Sequence, residues 1–202
     1  MSKLTKILII VGIFVLLILG MSKCAINTYN SMVSLDEETQ QAWAQVENAY
    51  QRRADLIPNL VKTVQGAAEY EKGTLEGVIE ARSKATSVQV DPSKLTEENI
   101  AAFQQVQDQL SSALSRLMVV VERYPELKAN QNFLELQAQL EGTENRIAVE
   151  RKKFNEVVQQ YNTTIRRFPN NIFAGMFNFD KKGYFKAKEG ADEAPDVEFN
   201  FN

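Results

Sequence analysis

The sequence predicts an all-α protein: an N-terminal transmembrane helix, an antiparallel four-helix-type bundle of long helices, and an aromatic-rich C-terminal tail. Three observations support this fold class. Residues 7–21 are apolar and uncharged. Glycine and proline are few, at 9 and 5 in 202 residues. Apolar residues elsewhere recur three and four apart, the spacing of one helix face. The expected divisions are 1–26 for a cytoplasmic stub and anchor, 27–169 for the bundle and 170–202 for the tail.

The N-terminal segment is long enough to cross a membrane. As a helix, residues 4–21 reach roughly 27 Å, close to the hydrocarbon thickness of a bilayer. We interpret them as an uncleaved anchor in membrane lipid. A cleaved secretory signal is one alternative, although Gly20-Met21-Ser22 fits its small-residue requirement poorly. A lipoprotein signal ending at Cys24 is the other, with Lys23 where a small residue is expected.

The charges that flank the anchor predict its orientation. Lys3 and Lys6 precede it, whereas Lys23 is the only basic residue that follows it before Arg52. Because cytoplasmic flanks carry the excess of positive charge, we expect the N-terminus in the cytoplasm and the bundle on the extracytoplasmic side.

Composition excludes several classes of function. Three of the 23 basic residues precede Cys24, so 20 remain beyond it against all 26 acidic residues, a net charge of −6 that argues against nucleic acid as a partner. The chain has no histidine, which excludes Ser-His-Asp catalysis and His-ligated zinc. We expect no catalytic residues, no metal and no cofactor.

The first half of the bundle is predicted as two helices and a turn. Apolar spacing from Leu35 to Val64 indicates one long helix, in which Pro58 marks either a kink or a boundary; the unbroken apolar phase favours a kink. A shorter helix is expected over 69–85. Asp91-Pro92-Ser93 is typical of a turn, and Thr96 is a predicted N-cap.

The second half is predicted as two longer helices. One carries an apolar seam from Phe103 to Tyr124 and stops at Pro125. The other runs over 129–167, with six heptad-spaced residues expected to face the interior: Phe133, Leu140, Ile147, Phe154, Tyr161 and Phe168. The seam positions interleaved with these six are polar in the middle of the helix, at Thr143, Glu144, Glu150 and Arg151. Three interpretations are open: a polar layer that fixes register, a solvated face, or a polar site inside the bundle.

The tail is too aromatic for a disordered linker. We therefore expect it to pack on the bundle or on a partner, through candidate contact residues Phe173, Phe177, Phe179, Tyr184, Phe185, Phe199 and Phe201. Alternation at positions 197, 199 and 201 suits an extended strand. The alternative for the final six residues is a frayed terminus.

Several segments resemble the LemA family in sequence and order. The most specific is Tyr50-Gln51-Arg52-Arg53-Ala54-Asp55-Leu56-Ile57-Pro58-Asn59-Leu60-Val61; the others are 30–35, 81–82, 141–146 and 161–162. The resemblance implies a bacterial single-pass protein of the cytoplasmic (inner) membrane, with a long-helix antiparallel bundle and no known enzymatic activity. It also implies possible envelope partners, namely a TPM-domain protein or a membrane metalloprotease.

The charged residues of this signature are the candidate interaction site. Arg52, Arg53 and Asp55 lie beside Pro58 and would face the last helix if the two pack antiparallel, with candidate partners Glu144, Arg146, Glu150 and Arg151. The structural interpretation is a polar layer that fixes register. The functional alternative is bidentate recognition of a carboxylate or phosphate by the arginines.

The function expected from these observations is that of a non-enzymatic, membrane-anchored scaffold or adaptor of the cell envelope, which binds protein partners or itself as a homo-oligomer. One rival is an envelope sensor or regulator that binds an anionic ligand through Arg52 and Arg53. A minor rival is a hydrolase that works with carboxylates alone, drawn from Glu141, Glu144 and Glu150.

Overall fold

The computed structural model describes residues 3–66 and 72–187, whose secondary structure is entirely helical. This confirms the predicted all-α class. The alternation at positions 197–201 lies outside the described residues. The helices are α1 (Lys3–Gln65), α2 (Lys72–Ser87), α3 (Glu97–Val121), α4 (Pro125–Lys128), α5 (Gln131–Arg166) and α6 (Asn170–Phe177).

Helix α1 joins the apolar segment to the bundle without a break. Its 63 residues extend for about 94 Å. The large apolar side chains of the segment are all exposed, and its mean hydropathy of 2.7 suits a membrane span. The expected division at residue 26 therefore falls inside a continuous helix. Pro58 also lies inside α1, so the helix does not end there.

The bundle pairs α1 with α5 in antiparallel fashion. Trp43 of α1 packs against Phe154 of α5, while Met32, nearer the anchor, shares a cluster with Tyr161. Helices α2 and α3 complete four-helix packing only at the end distant from the anchor. The core there includes Ile57, Leu60, Val64, Leu75, Val78, Leu110, Leu117 and Leu140.

Closer to the anchor, the core is aromatic. Trp43 is fully buried, with its ring centroid 5.1 Å from Phe103 and 5.6 Å from Phe154. The connection between α2 and α3 packs at this level through Val90 and Leu95. The cluster nearest the anchor is built instead from α1, α5, α6 and the segment that follows α6. Its members are Met32, Leu35, Tyr161, Ile165, Phe173, Ala174 and Phe179.

The local signals at helix ends agree with the structure in part. The Thr96 hydroxyl accepts from the backbone N–H of Asn99 at 3.2 Å, which confirms the predicted N-cap. Five of the six heptad residues of α5 are buried, but the prediction for Phe168 is wrong: its side chain is 81% exposed. The reason is that α5 ends at Arg166, so the seam no longer extends to Phe168.

Candidate functional site

Arg53 lies at the centre of the bundle and is only 1% exposed. Its Nη1 donates to a Glu144 carboxylate oxygen at 2.6 Å and to the Ser111 hydroxyl at 2.7 Å. Its Nη2 donates to the side-chain oxygen of Gln107 at 2.8 Å and to the Gln107 backbone carbonyl at 3.2 Å. Arg53 thus ties α1 to α3 and α5.

Gln107 extends this network to the remaining long helix. Its amide nitrogen donates to the backbone carbonyl of Ala85 in α2 at 3.1 Å. Four helices therefore meet in one polar layer, which we call the Arg53 layer: Arg53, Ala85, Gln107, Ser111 and Glu144. A buried charge is costly unless it is paired and hydrogen-bonded, so the layer favours a single relative register of the helices.

One side of the Arg53 layer opens to solvent. Glu144 is 46% exposed and lines a cleft of about 350 Å³ together with Tyr50, Asp108 and Arg151. The Tyr50 ring centroid lies 5.1 Å from the Arg53 guanidinium carbon, and burial raises the pKa of the Tyr50 hydroxyl. Tyr50 is therefore a neutral aromatic wall of the cleft at physiological pH.

The other charged candidates do not join the Arg53 layer. Arg52 is exposed and lines a separate groove of about 530 Å³ between α1 and α5, with Arg146 on the facing helix. Exposed Asp55 accepts from the side chain of Gln51 at 2.8 Å. The sequence candidates therefore divide between the bundle interior and its surface.

Glu150 is buried between two cations of its own helix. Its carboxylate lies 2.9 Å from Arg146 Nε and 3.3 Å from Lys153 Nζ. Arg151 points to the tail, where it donates to the Lys186 carbonyl at 2.9 Å. Exposed Glu141 accepts from Gln137 at 3.0 Å. Among the residues that the structure describes, no group of His, Cys, Asp or Glu is arranged to hold a metal ion.

Arg82 has a role that sequence reasoning missed. Pro58 has no N–H, so the carbonyl of Ala54, four residues earlier in α1, loses its normal helical donor. Arg82 of α2 donates its Nε–H to this carbonyl at 2.7 Å. The signal was present in the sequence, because a proline inside a helix always frees the carbonyl at i−4, but the sequence did not show which residue would reach it.

The segment that follows α6 is held by side-chain amides. We call residues 178–187 the C-terminal strap. Asn162 pairs with both the N–H and the carbonyl of Lys182, each at 2.9 Å. Asn155 pairs with Phe185 in the same way at 2.9 and 3.0 Å, and Gln104 with Lys186 at 3.0 and 3.1 Å. These amides take the place of a neighbouring strand and satisfy the backbone of an extended chain.

Side chains of the strap fill the aromatic part of the core. The Phe185 ring lies 5.5 Å from Phe154 and stacks on Trp43 at 5.9 Å. Gly183 passes so close to α3 that an added Cβ would lie 2.6 Å from the Cα of Glu97. A larger residue at position 183 would therefore displace the strap.

Two ion pairs fasten the strap, one at its middle and one near its C-terminal end. Buried Lys182 lies 2.8 Å from a carboxylate oxygen of Asp36, and Lys186 lies 2.9 Å from Glu97. Lys186 lowers the pKa of Glu97, first by hydrogen bonding and then by its charge. This contact is therefore fully present above the ordinary pKa of glutamate and is lost as the pH falls through the lowered value.

The expected tail residues divide into three groups. Tyr184 and Phe185 belong to the aromatic core with Trp43. Phe173, Phe177 and Phe179 lie near the anchor, where Tyr29 of α1 is 4.9 Å from Phe177 and 5.8 Å from Phe179 between ring centroids. Phe199 and Phe201 lie outside the described residues.

Comparisons with known proteins identify relatives over most of the chain. A family model of the LemA family matches residues 42–199. Magnetosome protein MamQ 2 of Paramagnetospirillum magneticum is 27% identical over 181 residues, covering 81% of this chain and 66% of that protein. Magnetosome protein MamQ of Magnetospirillum gryphiswaldense is 26% identical and covers 91% and 74%. Protein LemA of Metamycoplasma hominis is 24% identical and covers 79% and 69%.

Proposed function

The chain belongs to the LemA family, and we propose that it is a non-enzymatic, membrane-anchored scaffold or adaptor of the bacterial cell envelope. Its bundle would bind protein partners or further copies of the same chain. One observation carries the proposal: the apolar segment and the bundle share the uninterrupted helix α1. A continuous helix holds a bound partner at a fixed distance from the membrane and in a fixed direction.

The proposed location is the cytoplasmic (inner) membrane, with the N-terminus inside and the bundle on the extracytoplasmic side. The flanking lysines support this orientation. Ser93 lies exposed in the turn between α2 and α3, and Cys24 is the only cysteine. In a Cys24→Ser, Ser93→Cys variant, a membrane-impermeant maleimide should label cells whose outer membrane alone has been permeabilised. Labelling that requires lysis of the inner membrane would reverse the orientation.

The scaffold role is tested by interrupting α1. We suggest inserting a seven-residue Gly-Ser linker after Asn27, with a seven-residue helix-forming insert at the same place as the matched control. Lysine-reactive crosslinking of native membranes should give a discrete product from the wild-type chain, containing a second copy or a stoichiometric partner. The flexible insert should weaken this product and the helical insert should retain it. Absence of any such product from the full chain would contradict the scaffold role.

The family resemblance suggests a TPM-domain protein or a membrane metalloprotease as the partner to seek first. The names of the MamQ relatives contain the word "magnetosome", which describes those proteins and not this chain. For this chain, the similarity to them supports only the proposal that such bundles work at a bacterial membrane. The chain spans 66% of the length of MamQ 2, so the activity of the whole relative is not transferred to it.

A second candidate function is recognition of an anionic ligand, the sensor alternative. Arg53 is committed to the Arg53 layer, but Arg52 and Arg146 face a common groove that also contains Asn48 and Gln139. Arginine forks of this kind suit carboxylate or phosphate. Inorganic phosphate should then raise the thermal midpoint of the wild-type chain and not that of Arg52→Ala. An equal response of the two proteins would exclude this groove as the site.

A further inference from the structure

Among the described residues after the apolar run, which ends at Met21, ten large apolar side chains are exposed, and four of the ten lie at one place. These are Phe168, Ile172, Met176 and Phe177, within or just before α6. Ile172 is 54% exposed and Met176 is 65% exposed. Helix α6 has no charged residue. A solvent-facing helix of this composition calls for a covering surface.

The exposed side chains of α6 form a stripe. Phe168, Ile172 and Met176 are spaced by four residues, which places the two helical members on one face with Phe168 just before it. The opposite face is occupied, because Ala174 is buried and Phe173 packs with it in the cluster near the anchor. One side of α6 therefore packs on the bundle, and the other leaves Ile172 and Met176 exposed.

The position of α6 along α1 indicates what covers the stripe. Tyr29 contacts Phe177 of α6, and it lies only eight residues, about 12 Å of helix, beyond the end of the apolar run at Met21. The polar headgroup layer adds about 5–8 Å on each side of the hydrocarbon core. Transmembrane helices are commonly tilted by about 20°, and tilting α1 toward α6 lowers an element packed beside it into this layer.

The charges around α6 suit a lipid surface. Arg166 and Arg167 at the end of α5 are exposed, and so is Lys23 at the end of the apolar run. Exposed Asp180 is followed directly by exposed Lys181. The exposed acids of α1, Glu37 and Glu38, begin eight residues beyond Tyr29, about 12 Å further from the anchor. Positive charge therefore borders the stripe on the anchor side, where anionic headgroups would lie.

From these observations we propose that α6 is an interfacial helix, whose Phe168–Ile172–Met176 stripe lies in the headgroup layer of the membrane that α1 enters. The bundle then has two attachments to the bilayer, the span and α6. This inference rests on the membrane anchoring in the proposed function. It deepens that function, because a second contact fixes the tilt and rotation of the bundle, which a single helix leaves free.

Site-specific fluorescence in lipid nanodiscs tests the proposal. The full-length Cys24→Ser chain would be labelled with an environment-sensitive dye at Met176→Cys, in phosphatidylcholine with a fraction of phosphatidylglycerol. The controls are Leu16→Cys inside the anchor and Leu134→Cys, an exposed leucine at the far end of the bundle. Spin-labelled lipids would carry the quencher at the headgroup or along the acyl chain.

The expected result is loss of fluorescence at position 176 with headgroup and upper-chain quenchers, loss at position 16 with deeper quenchers, and no loss at position 134. A Phe168→Ser, Ile172→Ser background should abolish quenching at position 176 while the helical circular dichroism is retained. Circular dichroism separates this loss of docking from a failure to fold.

Each of the other outcomes overturns the proposal, and each identifies a different reason for its failure. Quenching at position 16 with a water-like, unquenched dye at position 176 means that α6 stays in solvent. A blue-shifted dye at position 176 that no lipid quenches means that a second copy or another protein covers the stripe. An unquenched position 16 means that the span itself is not in the bilayer, which contradicts the anchoring in the proposed function as well.

Discussion

Adjacent arginines have opposite environments in this protein, because a step of one residue along a helix turns the side chain by about 100°. Arg53 is buried and donates to Glu144, Gln107 and Ser111, whereas Arg52 is exposed in a surface groove. The Arg53 layer joins all four long helices at one height. We expect the layer to contribute more to the choice of register than to net stability, since desolvation offsets much of the attraction in a buried pair.

Removing the Glu144 carboxylate should leave the Arg53 guanidinium buried without a counter-charge. We expect Glu144→Ala to lower the free energy of unfolding by about 3 kcal/mol, the lower end of the range for breaking a buried pair, because Glu144 is itself partly exposed. Glu141→Ala, one turn earlier on an exposed face, should change it by less than about 0.5 kcal/mol. Denaturant titration measures both changes. Equal changes in the free energy of unfolding would show that the pair of Arg53 and Glu144 does not stabilise the fold.

The contact between Arg82 and Ala54 should depend on Pro58. Arg82→Ala leaves the Ala54 carbonyl without a donor and should cost about 1–3 kcal/mol. Pro58→Ala restores a backbone N–H that can reach the same carbonyl, so Arg82→Ala should cost clearly less in that background. A double-mutant cycle from chemical unfolding gives the coupling energy. Additive effects would mean that Arg82 acts elsewhere.

At the scale of the helix, a phenylalanine inside α5 and another just beyond its end form a matched pair for burial. Phe154→Ala should cost about 3–5 kcal/mol, because it leaves a cavity beside Trp43. Phe168→Ala removes the same ring from an exposed position and should stay within about 0.5 kcal/mol. Thermal unfolding of a soluble fragment that begins at residue 27 compares the two. An unchanged midpoint for Phe154→Ala would remove it from the core.

The C-terminal strap should be released by loss of one amide. Asn162→Leu keeps the approximate size of the side chain but leaves the backbone of Lys182 without its two partners. We expect tryptic cleavage at Lys181 and Lys186 to become faster, since a detached segment reaches the protease. Asn145→Leu, on an exposed face of the same helix, is the control. Identical cleavage rates in the two variants would show that the amide pair does not hold the strap.

What the sequence predicted, and what it did not, follows from the range of each interaction. Helix periodicity, the Thr96 cap and the apolar anchor depend on residues close together in the chain, so they can be recognised from the sequence alone. The burial of Arg53 depends on Gln107 and Ser111, more than fifty residues away. Aromatic residues indicated that the tail packs, but the amides that hold it belong to α3 and α5 and carry no pattern of their own.

At the scale of the whole molecule, unequal helix lengths decide the architecture. Helix α2 has 16 residues and α3 has 25, against 63 in α1 and 36 in α5. The bundle is therefore four helices thick only in its distal part. Nearer the membrane, α1 and α5 continue as a pair, and α6 and the C-terminal strap supply the apolar cover that α2 and α3 do not reach.

This thin membrane-proximal part motivates the prediction that the full-length protein is a homo-oligomer. Two helices and a strap leave flanks that another copy can cover, and exposed Ile26 and Tyr29 lie on α1 at this level. Anchoring raises the effective concentration, so weak lateral contacts count. Within the span, Gly12 and Gly20 are eight residues apart and do not form a GxxxG motif, so we expect the soluble flanks and the tail to carry the contact.

Light scattering of the detergent-purified chain measures the assembly directly. The full chain should show a mass of two or more copies, and deletion of residues 187–202, which leaves the strap up to Lys186 in place, should shift the distribution toward one copy. An anchor-deleted chain should be largely monomeric at the same concentration, because confinement in the membrane or micelle is then lost.

The Phe168→Ser, Ile172→Ser variant separates lipid docking from self-association: it should retain the oligomer mass if α6 faces lipid. A single-chain mass for the intact protein at every concentration would rule out self-association, and the scaffold would then have to bind a different protein.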